Sequence, residues 1–123
     1  FDMNNMTDGR TQTFVEAAVW PDDIKNYGAN LFNNYHFLDR IYDPEGLMPS
    51  LSDVARYNNS LNVMHWCVNV LKKNNATNSF ERAFMARYLL HLAGDIHQPL
   101  HSVQMFNSTK ALANGDQGGN SNH

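Results

Sequence analysis

The segment His91-Leu-Ala-Gly-Asp95-Ile-His97-Gln-Pro-Leu-His101 holds the densest ionisable chemistry of this 123-residue chain. His91 and Asp95 are four residues apart, so on a helix both side chains project from one face about a turn apart. Pro99 stops that helix, and His101 follows on a bend that can return to the same point. Two imidazole nitrogens and a carboxylate converging on one spot form the donor set of a catalytic zinc ion. The chemistry expected is metal-assisted hydrolysis. His97 lies about 200° from Asp95 around the helix, which makes it a supporting donor rather than a ligand.

Charge balance favours the same reading. Phe84, Tyr88, His91 and Asp95 share one sector of a helical wheel, so the stripe turns from apolar to ionisable towards its C-terminal end. An unpaired carboxylate there is disfavoured both by burial and by the negative end of the helix. A divalent cation compensates it, as would Arg87 or Lys25, and the neighbouring histidines favour the cation. The plain alternative, a His–carboxylate hydrogen bond in a core, loses ground once His101 is added. Two further segments can complete a site. Trp20-Pro21-Asp22-Asp23-Ile24-Lys25 sets a carboxylate and an amine three residues apart, and Tyr35-His36-Phe37-Leu38-Asp39 carries a histidine, an aromatic ring and a second carboxylate.

The elements that must position these groups are helical. Residues 1–10 read as a polar loop. Thr13 to Ala18 predict a short helix capped by Thr11 or Thr13, and Pro21 suits the first turn of a new helix, with Asp22 and Asp23 near its positive end. Asn33 to Asp39 read as extended or irregular, and Asp43-Pro44-Glu45-Gly46 as a turn. Ser50 is a good N-cap for a helix over Leu51 to Lys73, with Val54, Tyr57, Leu61, Met64, Val68 and Leu71 as its core stripe. A second helix starts near Asn78 or Ser79 and runs to about Ile96, apolar nearly all round and therefore buried. His65 reads as structural. Strands are few and short, so the fold class is mainly α.

Composition bounds the function. Hydrophobic residues make up 42% of the chain and charged residues 17%, the balance of one globular domain. Net charge is −3 with nine Lys+Arg, so the chain has no basic face to grip a nucleic-acid backbone. If it handles nucleic acid, metal ions and a few placed groups must meet the phosphate. No apolar run approaches the length of a membrane span. Cys67 is alone, so no disulfide closes within these residues. Acceptor sequons at Asn5, Asn58, Asn75 and Asn107 favour a secreted or lumenal glycoprotein.

Taken in order, Trp20-Pro-Asp22, His36-Phe-Leu-Asp39, His91-Leu-Ala-Gly-Asp95, Gln98-Pro-Leu-His101 and Gly118-Gly-Asn120 span residues 20 to 120. This set resembles the zinc-dependent single-strand-specific nucleases of fungi, plants and protists, whose fold is shared with bacterial zinc phospholipases C. The resemblance implies a mainly α, multi-helix fold with a metal cluster at the end of a buried helix. It implies that Asp22, His36, His91 and Asp95 bind a first zinc, that Asp95 bridges to a second, and that His101 begins the ligand set of a third. Phe37 would stack on a nucleobase and Asp39 would accept hydrogen bonds from its edge. Lys25 and Asn120 would hold the phosphate and the charge developing on it. Asp22, Lys25 and Asn120 are thus the catalytic candidates. The implied activity is phosphodiester hydrolysis of single-stranded DNA or RNA to 5′-phosphate products, with 3′-nucleotidase activity.

Two family features lack counterparts. An N-terminal Trp and the His that follows it are absent from Phe1 to Arg10, and the Asn-Leu-His-x-x-Trp-Asp motif after Gly-Gly-Asn is absent before His123. The expectation is one incomplete nuclease domain over residues 1–123, with one complete zinc site and parts of two others. The rival expectations are a zinc phospholipase C, and a non-catalytic metal-binding remnant of the same fold. Phe37-Leu-Asp39 and Gly118-Gly-Asn120 favour the nuclease over the lipase.

Overall fold

The structure is a computed structural model that describes residues 13–28, 30–38, 40–46, 58–73, 79–108, 115–116 and 119. Its elements are mainly helical. α1 spans Phe14–Asp23 and tightens into a 3₁₀ turn over Ile24–Tyr27. A second 3₁₀ segment covers Asn30–His36. α2 spans Ser60–Lys72, α3 spans Ser79–Asp95, and a last 3₁₀ turn covers Pro99–His101.

Local chemistry explains where α1 begins. Thr13 is its N-cap: Glu16 N–H donates to Thr13 Oγ1 at 3.3 Å, and Thr13 N–H donates to Glu16 Oε2 at 2.7 Å. That capping box satisfies two donors that a helix start otherwise leaves open. The expectation that Pro21 opens a new helix is not met. Pro21 lies inside α1 and is buried with Trp20. It forfeits one backbone hydrogen bond near the helix end, and burial of the Trp20–Pro21 pair offsets that loss. Asp22 and Asp23 therefore sit at the negative end of a helix, not at a positive one. Gly28, at φ 85°, supplies the left-handed residue that ends the turn which follows.

α2 begins later than the sequence suggests. Asn59, extended at φ −102° and ψ 170°, caps it by accepting from Asn62 N–H at 3.0 Å. Ser50 and residues 47–57 lie outside the described residues, as do Thr11, Asn75 and Asn78. The buried stripe is also rotated from the expected one: Ser60, Val63 and Cys67 are buried, with Met64, Val70 and Leu71 partly so, and Leu61 is 45% exposed. Val63 and Cys67 face the core with Met85, Tyr88 and Leu92, and at the helix start Ser60 N–H donates to Phe37 O at 3.0 Å.

α3 begins and ends within a residue of expectation. It buries one stripe, Met85, Tyr88, Leu92 and Asp95, rather than its whole circumference, and Phe80 is 40% exposed. It packs antiparallel to α2: Cys67 Sγ contacts Met85 Sδ at 3.6 Å, and Arg82 donates to the terminal carbonyls of Leu71 and Lys73 at 3.2 and 3.3 Å. Trp20 and Ile24 of the first helical stretch close the core, with Trp20 meeting Phe84 and Tyr88 edge-on at 5.6 and 6.2 Å.

Residues 33–36 are 3₁₀-helical, not extended. The Asp43–Gly46 turn forms as expected, with Gly46 at φ 66°. A two-stranded parallel sheet pairs β1, Arg40–Tyr42, with β2, Val103–Met105, in the register Arg40 to Val103. Leu38 N–H extends the pairing by donating to His101 O at 2.8 Å. The sheet is small, and its consequence is positional: it ties the segment after His36 to the segment at His101.

Candidate metal centre

Three helical C-termini meet at one place. Asp22 is the penultimate residue of α1, His36 the last of its 3₁₀ segment and Asp95 the last of α3, with His91 one turn earlier. Each C-terminus presents partial negative charge, so their convergence creates a site that favours a cation.

Donor atoms of Asp22, His36 and His91 lie within 4.8 Å of one another. His36 Nδ1 is 3.7 Å from Asp22 Oδ1, and His91 Nε2 is 3.6 Å from Asp22 Oδ2. The two imidazole nitrogens approach to 2.9 Å. Asp95 Oδ2 lies 3.1 Å from both His36 Nδ1 and His91 Nε2, so it joins the group through the histidines. Tetrahedral zinc with ligands at about 2.0–2.1 Å separates neighbouring donors by about 3.3 Å. The five separations, 2.9 to 3.7 Å, bracket that length. The Asp22–His36–His91 triad fits the ion in chemistry and size, and Asp95 adjoins it through the two histidines.

Hydrogen bonding prepares the histidines for that role. His91 Nδ1 lies 2.7 Å from Ala18 O, which can only accept, so Nδ1 carries a proton and Nε2 faces the cluster. Two imidazole nitrogens 2.9 Å apart require a proton or a cation between them. Burial drives His91 towards its neutral form. The hydrogen bond and charge of Asp95, the Ala18 carbonyl and the charge of Asp22 outweigh it and raise the pKa above the ordinary value. Burial likewise pushes Asp95 up, but hydrogen bonds from His36 and His91, with their charge, hold it well below the usual carboxylate range. The cluster holds its carboxylate ionised and draws positive charge.

His101 occupies the other side of Asp95. Its Nδ1 is 3.5 Å from Asp95 Oδ1 and 3.1 Å from His36 O. Asp95 therefore turns Oδ2 to the His36–His91 pair and Oδ1 to His101, and the convergence of His91, Asp95 and His101 on a single point gives way to two adjoining points. Lys25 Nζ is 2.7 Å from Asp22 Oδ1, at the rim. Phe37 lies against the His101 ring at 4.9 Å between centroids. Neither cation proposed as a counter-charge serves Asp95 here: Lys25 pairs with Asp22, and Arg87 lies over the Trp20 ring at 5.2 Å. His97 is exposed, with Nδ1 2.6 Å from Ala93 O of its own helix. His65 is exposed on α2. Asp39, Gly118 and Asn120 lie outside the described residues. Gly119 is described, at φ 84°, beside Leu100.

One contributor escaped the sequence. Ala18 acts through its carbonyl, and no side chain advertises that. The small pair Ala17-Ala18 is a weak signal for close approach of another helix.

A helical scaffold that gathers Asp22, His36 and His91 from three segments, with Asp95 beside both histidines, defines a candidate metal-dependent hydrolase centre. Residues 2–123 match the S1/P1 Nuclease family, and the chain belongs to that family. It is similar to Nuclease S1 of Aspergillus oryzae (strain ATCC 42149 / RIB 40), with 29% identity over 108 residues, 85% of this chain and 37% of that enzyme. The chain thus spans little more than a third of that relative's length. No solved structure matches it.

Proposed function

We propose that the chain carries the principal zinc site of a phosphodiesterase that cleaves single-stranded DNA or RNA, leaves 5′-phosphate products and has 3′-nucleotidase activity. The Asp22–His36–His91–Asp95 donor cluster carries this reading. These four residues would hold one zinc, and His101 would serve a neighbouring ion across Asp95. When bound, zinc supplies an electrophile for phosphoryl oxygens and acidifies water towards neutrality. The chain's own groups do the rest. Asp95 offers an oxygen to each side, and His91, oriented by Ala18 O, keeps its lone pair on the cluster. Lys25, at the rim beside Asp22, would meet a phosphate. Phe37 offers a ring for a base, which selects strands whose bases are unpaired. Asp39 would accept from the base edge, and Asn120 would hold the phosphate. The sequons support a secreted or lumenal glycoprotein. Among the described residues, no helix is long and apolar enough to cross a membrane.

The test is turnover by zinc-loaded protein of single-stranded DNA, single-stranded RNA, duplex DNA and phosphatidylcholine vesicles. Cleavage of single strands well ahead of duplex, lost on chelation and restored by zinc, is the expected result. Lipid turnover without nucleic-acid cleavage contradicts it.

A further inference from the structure

We propose that Asn58 carries an N-linked glycan whose first N-acetylglucosamine packs into the cleft beside the start of α2, against the face of Trp66. This rests on the reading of the chain as a secreted or lumenal glycoprotein. Asn58-Asn59-Ser60 is an acceptor sequon, and Asn58 is exposed just ahead of the helix cap. Ser60 supplies a second observation. It is 1% exposed, and among the described residues its hydroxyl has no hydrogen-bond partner. A buried hydroxyl without a partner costs stability, so the fold gives no reason for serine here, whereas the sequon requires one. Asn107 contrasts with Asn58: it is half-buried, and the Ser108 N–H after it donates to Glu45 Oε2 at 3.1 Å. The cleft, about 280 Å³, is lined by Tyr35, Asn58, Asn62, Val63 and Trp66. Tyr35 and Val63 pack with the core, which leaves Asn58, Asn62 and the 45% exposed Trp66 to meet an occupant. None of the three carries a formal charge. An indole face suits the apolar C–H face of a pyranose. The Asn62 carboxamide, one turn before Trp66, offers a donor and an acceptor to the N-acetyl and hydroxyl groups.

In the transfer, the Asn58 carboxamide nitrogen bonds to the anomeric carbon of a polyprenyl-diphosphate oligosaccharide. The bond from that carbon to the diphosphate breaks, the lipid diphosphate leaves with the electron pair, and the amide nitrogen gives up one proton. Because Ser60 is buried once α2 has formed, transfer precedes folding, and folding then seats the sugar.

The experiment uses protein secreted by eukaryotic cells, as wild type, Asn58→Gln, Trp66→Ala and the double variant. Glycopeptide mass spectrometry should find Asn58 occupied. Wild type should melt about 3 °C above Asn58→Gln, and that difference should vanish in the Trp66→Ala background. Trimming the glycan with an endoglycosidase to its first N-acetylglucosamine should keep the difference. Trp20 is fully buried, so acrylamide quenching reports Trp66, which should be shielded in wild type and open in Asn58→Gln. That measurement stands even if Trp66→Ala fails to fold. Glycans at Asn5, Asn75 or Asn107 with Asn58 bare overturn the proposal and leave the secreted-glycoprotein reading intact; no glycan at all overturns both. An occupied Asn58 with equal Tm differences in both backgrounds overturns the packing. So does an indole equally quenched with and without the glycan.

Discussion

Asp95 is the residue on which the centre depends, because each of its oxygens faces a different histidine environment. Removing it takes away a donor 3.1 Å from two imidazoles and leaves them crowded, with the more distant and exposed Asp22 carboxylate as counter-charge. Asp95→Ala should weaken zinc binding on the order of 100-fold or more, measured by competition with a chromophoric chelator. His97→Ala should change it by less than about threefold, since among the described residues that ring bonds only its own helix. Equal losses would show that the two do not differ in kind. Proton linkage gives a second prediction. The raised pKa of His91 means its contribution to metal-free stability is complete below the ordinary value of 6.5 and fades as pH climbs through the raised one. The depressed pKa of Asp95 works in the opposite sense: its contribution is complete above 3.8 and fades as pH falls through the lowered value. Metal-free Tm should therefore peak between about pH 4 and 6.5 and decline above it. Added zinc should stabilise more as pH rises, because it competes with the His91 proton. A zinc-induced Tm shift that shrinks with rising pH over this range would contradict the assignment. The His91–Asp95 pair was legible because i, i+4 spacing fixes a shared helical face before any tertiary contact exists. The Ala18 carbonyl that orients His91 was not, because every residue carries one.

At the scale of elements, the antiparallel packing of α2 on α3 is what places the end of α3 among the other donors. Cys67 reports on it. The thiol is fully buried against Met85, and burial pushes its pKa up to about 11. It should react with a disulfide reagent at pH 8 only as α2 separates from α3, so labelling should speed up steeply with sub-denaturing urea. Rapid labelling of native protein would mean that this packing is absent. The same elements show where local patterning fails. Pro21 carries the statistics of a first-turn proline, yet the capping box at Thr13 and burial beside Trp20 carry α1 through it. The stripe on α2 was misplaced because the face that turns inward is chosen by packing against Met85, Tyr88 and Leu92, distant in sequence. Helix type and the α3 boundaries follow from propensity and periodicity. Registration between elements comes from contacts the pattern does not encode.

For the whole molecule, the account is that family membership and a convergent donor set describe the same object. The S1/P1 Nuclease match over residues 2–123 and the meeting of three helical C-termini agree. The order of the proposed ligands along the chain, Asp22, His36, His91, Asp95, came from the resemblance in sequence. Their closeness in space came only with the fold that brings residues 59 positions apart to 3.1 Å. The small sheet completes the arrangement by linking Leu38 to His101, which sets Phe37 against the His101 ring. The most direct test of the central claim is zinc content per chain by elemental analysis after exhaustive dialysis at neutral pH, on wild type and on Asp95→Ala. At least one zinc retained per wild-type chain, and none by the variant, is the predicted result; a wild-type chain that retains no zinc, or a variant that retains as much, would contradict it.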